Sequence, residues 1–353
     1  MASGDERGIL ATIKDVAKRA GVAISTVSAV LNRSAPVSDE TIARVERAVA
    51  EIGYTPHGAA QSLRSGRSRM IGLVVPNIAN PHFASVAREV ENVCLNAGYM
   101  TVVYSTGQDF ERESQVLAMM RMQRVAGLIV IPTRSDADHG SHLVGQIHVP
   151  TVLLDMYVEG LPYDVIKTDN VEAGRLAAAY LLDLGHRRIG IIVGIKGLAT
   201  SDDRYAGYVK AHTERDVAID ETLVVAGDFD QDLANRRTLD LMARPDRPTA
   251  IVAISNMMTL GMLFALKAMK LRVPEDLSVV GIDDLEFAQI VDPPPTVVAT
   301  PILPMARRAI ELLLRQIAGN EAPTGRWEIH QPHLVIRDSA IAAVAGQPLA
   351  VDA

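Results

Sequence analysis

From Met70 onward, short apolar runs alternate with amphipathic helical segments, and this rhythm restricts the fold more than any other feature of the chain. The runs fall at 71–75, 100–104, 127–131, 151–154, 189–193, 250–254 and 277–282. Apolar spacing predicts helices between them at 84–97, 113–123, 173–184, 204–215 and 258–269. Runs without in-out alternation are buried on both faces, as strands are in a parallel sheet covered by helices. Regular strand–helix–strand succession therefore predicts a doubly wound α/β fold. The runs number about twice what one such lobe needs, so two Rossmann-like lobes with parallel sheets are expected. Aromatic residues are only 4% of the chain, which suits helices stacked on buried strands better than an all-β sandwich.

The segment before Met70 reads differently. After a ten-residue tail, Thr12 can cap a first helix, with Asp15 as the reciprocal partner of a capping box. That helix runs to about Ala20 and stops at Gly21, which can take the positive φ of a turn. A second helix begins near Ile24 or Ser25 and ends around Asn32. A third starts at Ser38, has Asp39 and Glu40 in its first turn, carries Ile42, Val45, Val49 and Ile52 at helical spacing, and ends at Gly53. Val16, Ala20, Val22, Val27, Val30, Leu31 and Val45 would fill a small core, and Ala17 lets the helices cross closely. The second helix then exposes Ile24, Ser25, Thr26, Ser28 and Ala29. A helix-turn-helix that reads a DNA groove and an ordinary helical hairpin both fit this spacing. Behind Pro56 a short helix is expected over 57–64, then a flexible polar junction over 65–69.

Charge is divided along the same line. The net charge is −7, yet the first 70 residues hold ten Lys/Arg against seven Asp/Glu, and the remainder holds 25 against 35. A mildly basic head on an acidic body suits phosphate contact by the head alone.

Several classes are disfavoured. The single cysteine, Cys94, leaves no disulfide framework and no multi-cysteine metal site; in its apolar-periodic segment it reads as a small buried hydrophobe. The N-terminus lacks the apolar core of a signal peptide, and no apolar run reaches membrane-spanning length. A soluble, cytoplasmic protein is the expectation. Gly190, Gly194 and Gly197 have the wrong spacing for a dinucleotide fingerprint, and no phosphate loop, HExxH or Gly-x-Ser-x-Gly elbow is present. His139, His142 and His148 fall in what reads as a polar surface loop. No catalytic set, no cofactor and no metal are expected.

Specific motifs then accumulate. Thr12-Ile13-Lys14-Asp15-Val16-Ala17, Thr26-Val27-Ser28, Leu31-Asn32 and Val37-Ser38 together resemble the head of the lactose-repressor (LacI) family. Tyr54-Thr55-Pro56 and Ala60-Gln61-Ser62-Leu63-Arg64 resemble its hinge. The resemblance implies that Thr12, Ser28, Asn32, Ser38, Thr41 and Tyr54 contact phosphates. It also implies that Ile24, Ser25 and Ala29, beside Thr26, face the bases. Leu63, next to Ala60 in the hinge, would wedge into a minor-groove step and kink the duplex; packing on the sensor lobe is the alternative. Three positions depart from the family pattern. Ala23 stands where a capping Ser is usual, Ala29 where Arg is common, and Gly58 lies inside the hinge helix. These predict a hinge that folds only on DNA and an operator unlike the commonest family sites.

The body from Arg69 to about Ser339 resembles the family's periplasmic-binding-protein-like core. The resemblance rests on Ile71-Gly72-Leu73-Val74-Val75-Pro76 with Asn80-Pro81-His82-Phe83, Asp169-Asn170 with Gly174, Gly185-His186-Arg187-Arg188-Ile189, Arg204-Tyr205-Ala206-Gly207-Tyr208, Val273-Pro274-Glu275-Asp276 and Gly281-Ile282-Asp283-Asp284. It implies three chain crossings between lobes, near 168, 297 and 328. Ligands of open α/β sheets sit beyond the carboxyl ends of the strands. There the resemblance places His82 and Phe83 for stacking, Asp155 as a hydroxyl acceptor, Arg204 and Asp283 as charges, Phe229 as a wall, and Thr200. Asn256 stands where the family often has Asp. Arg204 could instead pair with Asp202 or Asp203, Asp283-Asp284 could be turn chemistry, and His186 reads as a helix anchor.

The organisation expected is a helix-turn-helix domain over 11–56, a hinge helix and linker over 57–69, a two-lobed effector-binding and dimerisation domain over 70–340, and a short tail over 341–353. Lobe 1 would hold about 70–168 and 298–327, and lobe 2 about 169–297 and 328–340. The function expected is that of a homodimeric, non-enzymatic transcription regulator, a repressor by preference. It would bind a pseudopalindromic operator in double-stranded DNA under control of a small effector, with a sugar or sugar acid favoured over a nucleobase and no membrane partner. The tail carries no leucine heptads, so a dimer is preferred to a coiled-coil tetramer.

Overall fold

The computed structural model describes residues 11–32, 35–54, 68–284, 288 and 290–343. The hinge positions Gly58, Ala60 and Leu63 lie outside the described residues. The chain divides into two compact units, Met1–Ser68 and Arg69–Ala353.

In the first unit, α1 (Ile13–Ala20), α2 (Ile24–Asn32) and α3 (Asp39–Ile52) form a three-helix head. Its starts and stops follow local chemistry. The Thr12 N–H donates to the Asp15 carboxylate at 2.9 Å and the Asp15 N–H returns to the Thr12 hydroxyl at 3.4 Å, a reciprocal cap. Gly21 and Gly53 close α1 and α3 in the left-handed conformation, with φ of 64° and 62°. Ser38 differs from the expectation. It occupies the N-cap position of α3, but its hydroxyl lies 3.0 Å from that of Thr41 and caps no backbone amide. Val16, Val27 and Val45 are fully buried at the centre, with Val22, Val30, Leu31 and Tyr54 packed around them.

The second unit contains two six-stranded sheets. In chain order its elements are β1 (Met70–Val75), α4 (Pro81–Asn96), β2 (Met100–Ser105), α5 (Phe110–Met122), β3 (Gly127–Val130), α6 (Ala137–Gln146), β4 (Thr151–Leu154), β5 (Asp164–Thr168), α7 (Asn170–Asp183), β6 (Ile189–Val193), α8 (Ala199–Glu214), β7 (Val224–Ala226), α9 (Gln231–Met242), β8 (Ala250–Ala253), α10 (Asn256–Ala268), β9 (Ser278–Ile282), β10 (Thr296–Ala299), α11 (Ile302–Ile317), β11 (Trp327–His330) and β12 (His333–Val335). The first sheet runs β11-β5-β4-β3-β1-β2 and the second β12-β10-β9-β8-β6-β7. Every pairing is parallel except β10 with β12. Interior strands such as β3, β4 and β8 are buried at every residue, the condition that made them legible as unbroken apolar runs.

Each of the seven apolar runs forms a strand. The strands that escaped sequence reading are β5, β7, β10, β11 and β12, which are short or interrupted by polar residues. Asp164 opens β5 and is buried because Gln316, Thr324 and Arg326 all donate to its carboxylate. The last two chain crossings follow Ala299 and His330, close to the 297 and 328 expected. β10 pairs with β9 and holds the chain in the second sheet to Ala299, and β11 holds it in the first to His330, opposite Thr168. The helix α11 belongs to the first lobe, where Met305, Ala306, Ala309, Ile310 and Leu313 enter its core.

The histidine loop is corrected too. His139 and His142 lie on α6, and His139 is buried with its Nε2 against the Glu113 carboxylate. Glu113 also accepts the Thr133 N–H at 2.8 Å, so the pair fastens the loop between β3 and α6. Cys94 is fully buried on α4, where burial raises its thiol pKa.

In the second lobe, α7 and α8 approach so closely that no side chain fits between them. A Cβ at Gly174 would lie 1.9 Å from the Arg204 carbonyl oxygen, and one at Gly207 would lie 2.0 Å from the Val171 oxygen. Gly174→Ala is expected to push α8 away and lower unfolding stability by about 1–3 kcal/mol. Gly145→Ala, where a Cβ on α6 meets nothing within 4 Å, should leave stability unchanged or raise it by up to about 1 kcal/mol. Urea midpoints of the two variants provide the measurement, and equal midpoints would contradict the packing argument.

Candidate functional site

The carboxyl ends of both sheets meet at a cavity of about 440 Å³. Its wall is assembled from the loops that follow the strands: Asn77 to Phe83 after β1, Gly107 and Gln108 after β2, Pro132 and Thr133 after β3, and Asp155 and Met156 after β4. The second lobe adds Leu198 and Thr200 at the start of α8, residues 228–232 after β7, Ser255 to Met257 after β8, and Asp283 after β9. This is where open α/β sheets bind ligands, because only there do loops of successive strands converge without crossing a helix layer. All eight residues expected there, His82, Phe83, Asp155, Thr200, Arg204, Phe229, Asn256 and Asp283, line this one cavity. The sequence reading missed Gln108, Asp228, Asp230 and Asp232. A signal existed for part of this, since the residues after each apolar run are the ones a strand delivers to its carboxyl end.

The backbone around the cavity is strained. Gln108, Asp155, Asp228, Phe229 and Asp283 all have positive φ, between 52° and 72°. Non-glycine residues in that region carry a cost, and such residues cluster at ligand sites and switches.

Charge inside the cavity is arranged around Arg204, which is 2% exposed. Its Nε donates to Asn170 Oδ1 at 2.9 Å, and its Nη1 donates to the Ile254 carbonyl at 2.6 Å and to Asp283 Oδ2 at 3.3 Å. The alternative partners are engaged elsewhere: Asp202 accepts the Gly197 N–H, and Asp203 pairs with Lys167. Burial opposes ionisation of Asp283, but Arg204, His82 and the Thr300 hydroxyl at 2.7 Å outweigh it and hold its carboxyl below the usual range. Asp284 instead binds Arg337.

Asp155 is the contrasting carboxyl. It is 7% exposed, and among the described residues its side chain accepts no hydrogen bond. Burial raises its pKa, against the pull of His82 and Arg204. His82 and Phe83 stand edge to face with centroids 5.1 Å apart.

The two lobes touch around the cavity. Asn256 Nδ2 donates to Asn80 Oδ1 at 2.6 Å, so the Asn at 256 bonds across the cleft. The Ala199 N–H, at the start of a helix whose N-cap residue Leu198 has no polar side chain, donates to Ser135 Oγ at 3.0 Å. Thr200 Oγ1 lies 3.1 Å from Met156 Sδ. His186 anchors a helix end through Thr249 and the Ile341 carbonyl, away from the cavity.

On the head, Thr12, Ile24, Ser25, Ser38 and Thr41 stand at the N-terminal ends of the three helices. Helix N-termini offer free N–H groups and a positive dipole end to phosphates. Ile24 is 36% exposed and Ser25 is exposed, whereas Thr26, Ser28 and Ala29 are half-buried. Tyr54 packs against the head core beyond Gly53. Ala23 precedes α2 without a side-chain acceptor, and its carbonyl accepts from Thr26 and Val27. The Asn32 side chain, Ala60 and Leu63 lie outside the described residues.

Comparison with known proteins agrees with both halves. Residues 12–57 match the bacterial regulatory proteins of the lacI family, and residues 178–340 match a periplasmic binding protein-like domain. The HTH-type transcriptional repressor PurR of Edwardsiella ictaluri is 35% identical over 94% of this chain and 97% of its own length. Among solved structures, the Lac repressor dimer bound to operator and the anti-inducer ONPF is similar with a TM-score of 0.83 and 27% identity, over 94% of this chain and all of that one. A CelR transcriptional regulator–cellobiose complex is similar with a TM-score of 0.70 and 30% identity, over the same shares. The head, the two-lobed core and these relatives lead to one conclusion: the chain belongs to the LacI family of bacterial regulatory proteins, as a DNA-binding repressor with a ligand-binding, periplasmic-binding-protein-like core.

Proposed function

We propose that the chain is a homodimeric repressor whose affinity for a pseudopalindromic operator is set by an uncharged sugar bound between its lobes. The observation that carries this reading is the Asp155 carboxyl, buried at the cavity wall with no donor from the described residues. A carboxylate that faces the cavity and is uncommitted within the protein is free to accept a ligand hydroxyl in a charge-assisted hydrogen bond. The function needs the expected partition: the head at 11–56 on DNA, the hinge at 57–69 between, the core at 70–340 binding effector and partner, and a short tail at 341–353.

Lining charge narrows the ligand class. Asp155, Asp228, Asp230, Asp232 and Asp283 face the cavity, and Arg204 is the one Arg or Lys among its described lining residues. Because Arg204 is already committed to Asp283, Asn170 and Ile254, a sugar acid would bring its carboxylate among five like charges with only His82 to meet it. A neutral sugar presents hydroxyls to the carboxylates and an apolar face to Phe83 and Phe229. The bound cellobiose of the CelR relative supports the class. The second reading is a nucleobase, favoured by the three rings of His82, Phe83 and Phe229 around one cavity.

Effector and operator affinities would be coupled through lobe angle, typically by about 1–3 kcal/mol. Whether the effector releases or strengthens DNA binding follows from which lobe angle the hinge pair requires.

Calorimetric titration against neutral mono- and disaccharides, sugar acids and nucleobases tests the ligand class. A neutral sugar is expected to bind, and Asp155→Asn to weaken it by about tenfold or more, since a hydrogen bond to a charged group contributes about 1.5–3 kcal/mol. Binding only by nucleobases or sugar acids would overturn the reading.

Sugar affinity is also expected to fall as pH drops. A hydroxyl donor favours the ionised carboxyl, and burial raises the pKa of Asp155, so the loss sets in at higher pH than it would for an exposed Asp. A profile that stays flat from about pH 8 to the acid limit of the folded state would show that Asp155 does not accept from the ligand.

Selection of random duplexes by the purified protein is expected to enrich an inverted repeat whose affinity shifts when the sugar is added. Binding should also weaken steeply with salt, as phosphate contacts require. No enriched repeat with or without sugar would remove the operator reading.

A further inference from the structure

A group of side chains outside the cavity joins the lobes, and none of its members lines the cavity wall. Lys167 projects from β5 of the first lobe and is 6% exposed. Its ammonium sits 3.7 Å from the centroid of the Tyr157 ring and 5.0 Å from that of Trp327. Those two rings are 4.6 Å apart and inclined at 52°, so they form two walls of a cage around a cation. The open side of the cage faces α8 of the second lobe. There Asp203 accepts from Lys167 Nζ at 3.3 Å and from the Tyr157 hydroxyl at 3.3 Å. The Tyr157 hydroxyl is correspondingly hard to ionise: burial and the Asp203 carboxylate push its pKa up to about 12, so it remains a donor.

The position of Asp203 gives the group its significance. It lies one residue before Arg204 and three after Thr200, on the first turns of α8. α8 is fixed on its other side against α7 by the contact of Gly174 with the Arg204 backbone. The turn that carries two cavity residues is therefore held from both lobes.

From this we infer that Lys167 and Asp203 are positioning residues: an aromatic-caged ion pair that latches the lobes together and places Thr200 and Arg204 for the effector. The inference rests on the reading of the cavity as an effector site, but its test does not require the effector to be known. Two like-signed neighbours, Asp202 and Glu159, also face the Tyr157 hydroxyl, and the Lys167 charge is felt at Asp155. For that reason the pair must be probed from both ends.

The test measures lobe separation in the full-length, ligand-free protein by double electron–electron resonance. Nitroxides are placed at Met122→Cys on the first lobe and Asp240→Cys on the second, whose side chains are 74% and 69% exposed. Cys94 is fully buried and out of reach of the label. Lys167→Met and Asp203→Asn are each expected to lower the closed-to-open ratio by about three- to tenfold, the range for a partly desolvated cation–π and ion-pair contact. The double variant should do no more than either single one, because the two groups form one contact. Lys167→Arg, which keeps the cation in the cage, should restore most of the closed population. A distance distribution unmoved in Lys167→Met and Asp203→Asn, with circular dichroism unchanged, overturns the latch. So does additive opening in the double variant. If one variant fails to fold, the other decides alone. A failure of neutral sugars to bind would fall on the effector reading and leave these distances untouched.

Discussion

A guanidinium buried to 2% exposure must be answered by acceptors on every side, and Arg204 organises the second unit around that requirement. Its acceptors come from three places in the chain: Asn170 at the start of α7, the carbonyl that ends the β8 region, and Asp283 beyond β9. Satisfying one side chain therefore fixes the ends of two strands and two helices relative to each other. The bare approach of α7 to α8 at Gly174 sets the Arg204 backbone directly against α7, the helix that begins at Asn170. Asp283 is held ionised by this arrangement and is unavailable as a free acceptor. Asp155 across the cleft remains the carboxyl with capacity to spare. One buried cation thus separates two chemically identical residues into a structural one and a receptive one.

The lobes meet through polar contacts of different character. At the mouth, an amide pair joins Asn80 to Asn256. At the base of α8, a serine of one lobe supplies the cap that Leu198 cannot. Deeper, the caged lysine reaches Asp203. Leu198, Ile195 and Phe229 of the second lobe add an apolar contact on the first lobe's core, while polar contacts of this kind exchange readily for water. A boundary built this way favours a hinge between two positions over a fused block, and five residues with positive φ on the cavity wall mark where backbone strain accompanies it.

Much of this was legible in the sequence because the governing patterns are local. Capping at Thr12 and Asp15, helix ends at Gly21 and Gly53, and buried strands with unbroken apolar runs each depend on a few neighbouring residues. The residues lining the cavity were accessible through the family resemblance, and because strand ends deliver whatever follows them to a common edge. What escaped was non-local. β5 and β11 carry Asp164, Lys167 and Glu328 and look too polar for a sheet until their distant partners are known. α6 reads as a loop because His139 is a core residue only when Glu113 lies opposite. The capping role expected of Ser38 failed for a small geometric reason, a competing hydroxyl at Thr41. The latch had no sequence signature, since Tyr157, Lys167, Asp203 and Trp327 are brought together only by the two lobes.

The order in which the chain visits the lobes has a consequence for its birth on the ribosome. The first sheet is left at Thr168 and completed only by β11, and its core is sealed by Met305, Ile310 and Leu313 of α11. The second sheet receives its last strand, β12, at His333–Val335. Neither lobe is a contiguous stretch of sequence, so a nascent chain carries the first lobe unfinished until α11 and β11 have been made and the second until β12 has followed. Open strand edges and uncovered apolar faces persist over that interval. Chaperone demand and sensitivity to premature termination would be set by the distance from Thr168 to Trp327 along the message more than by the stability of the finished protein.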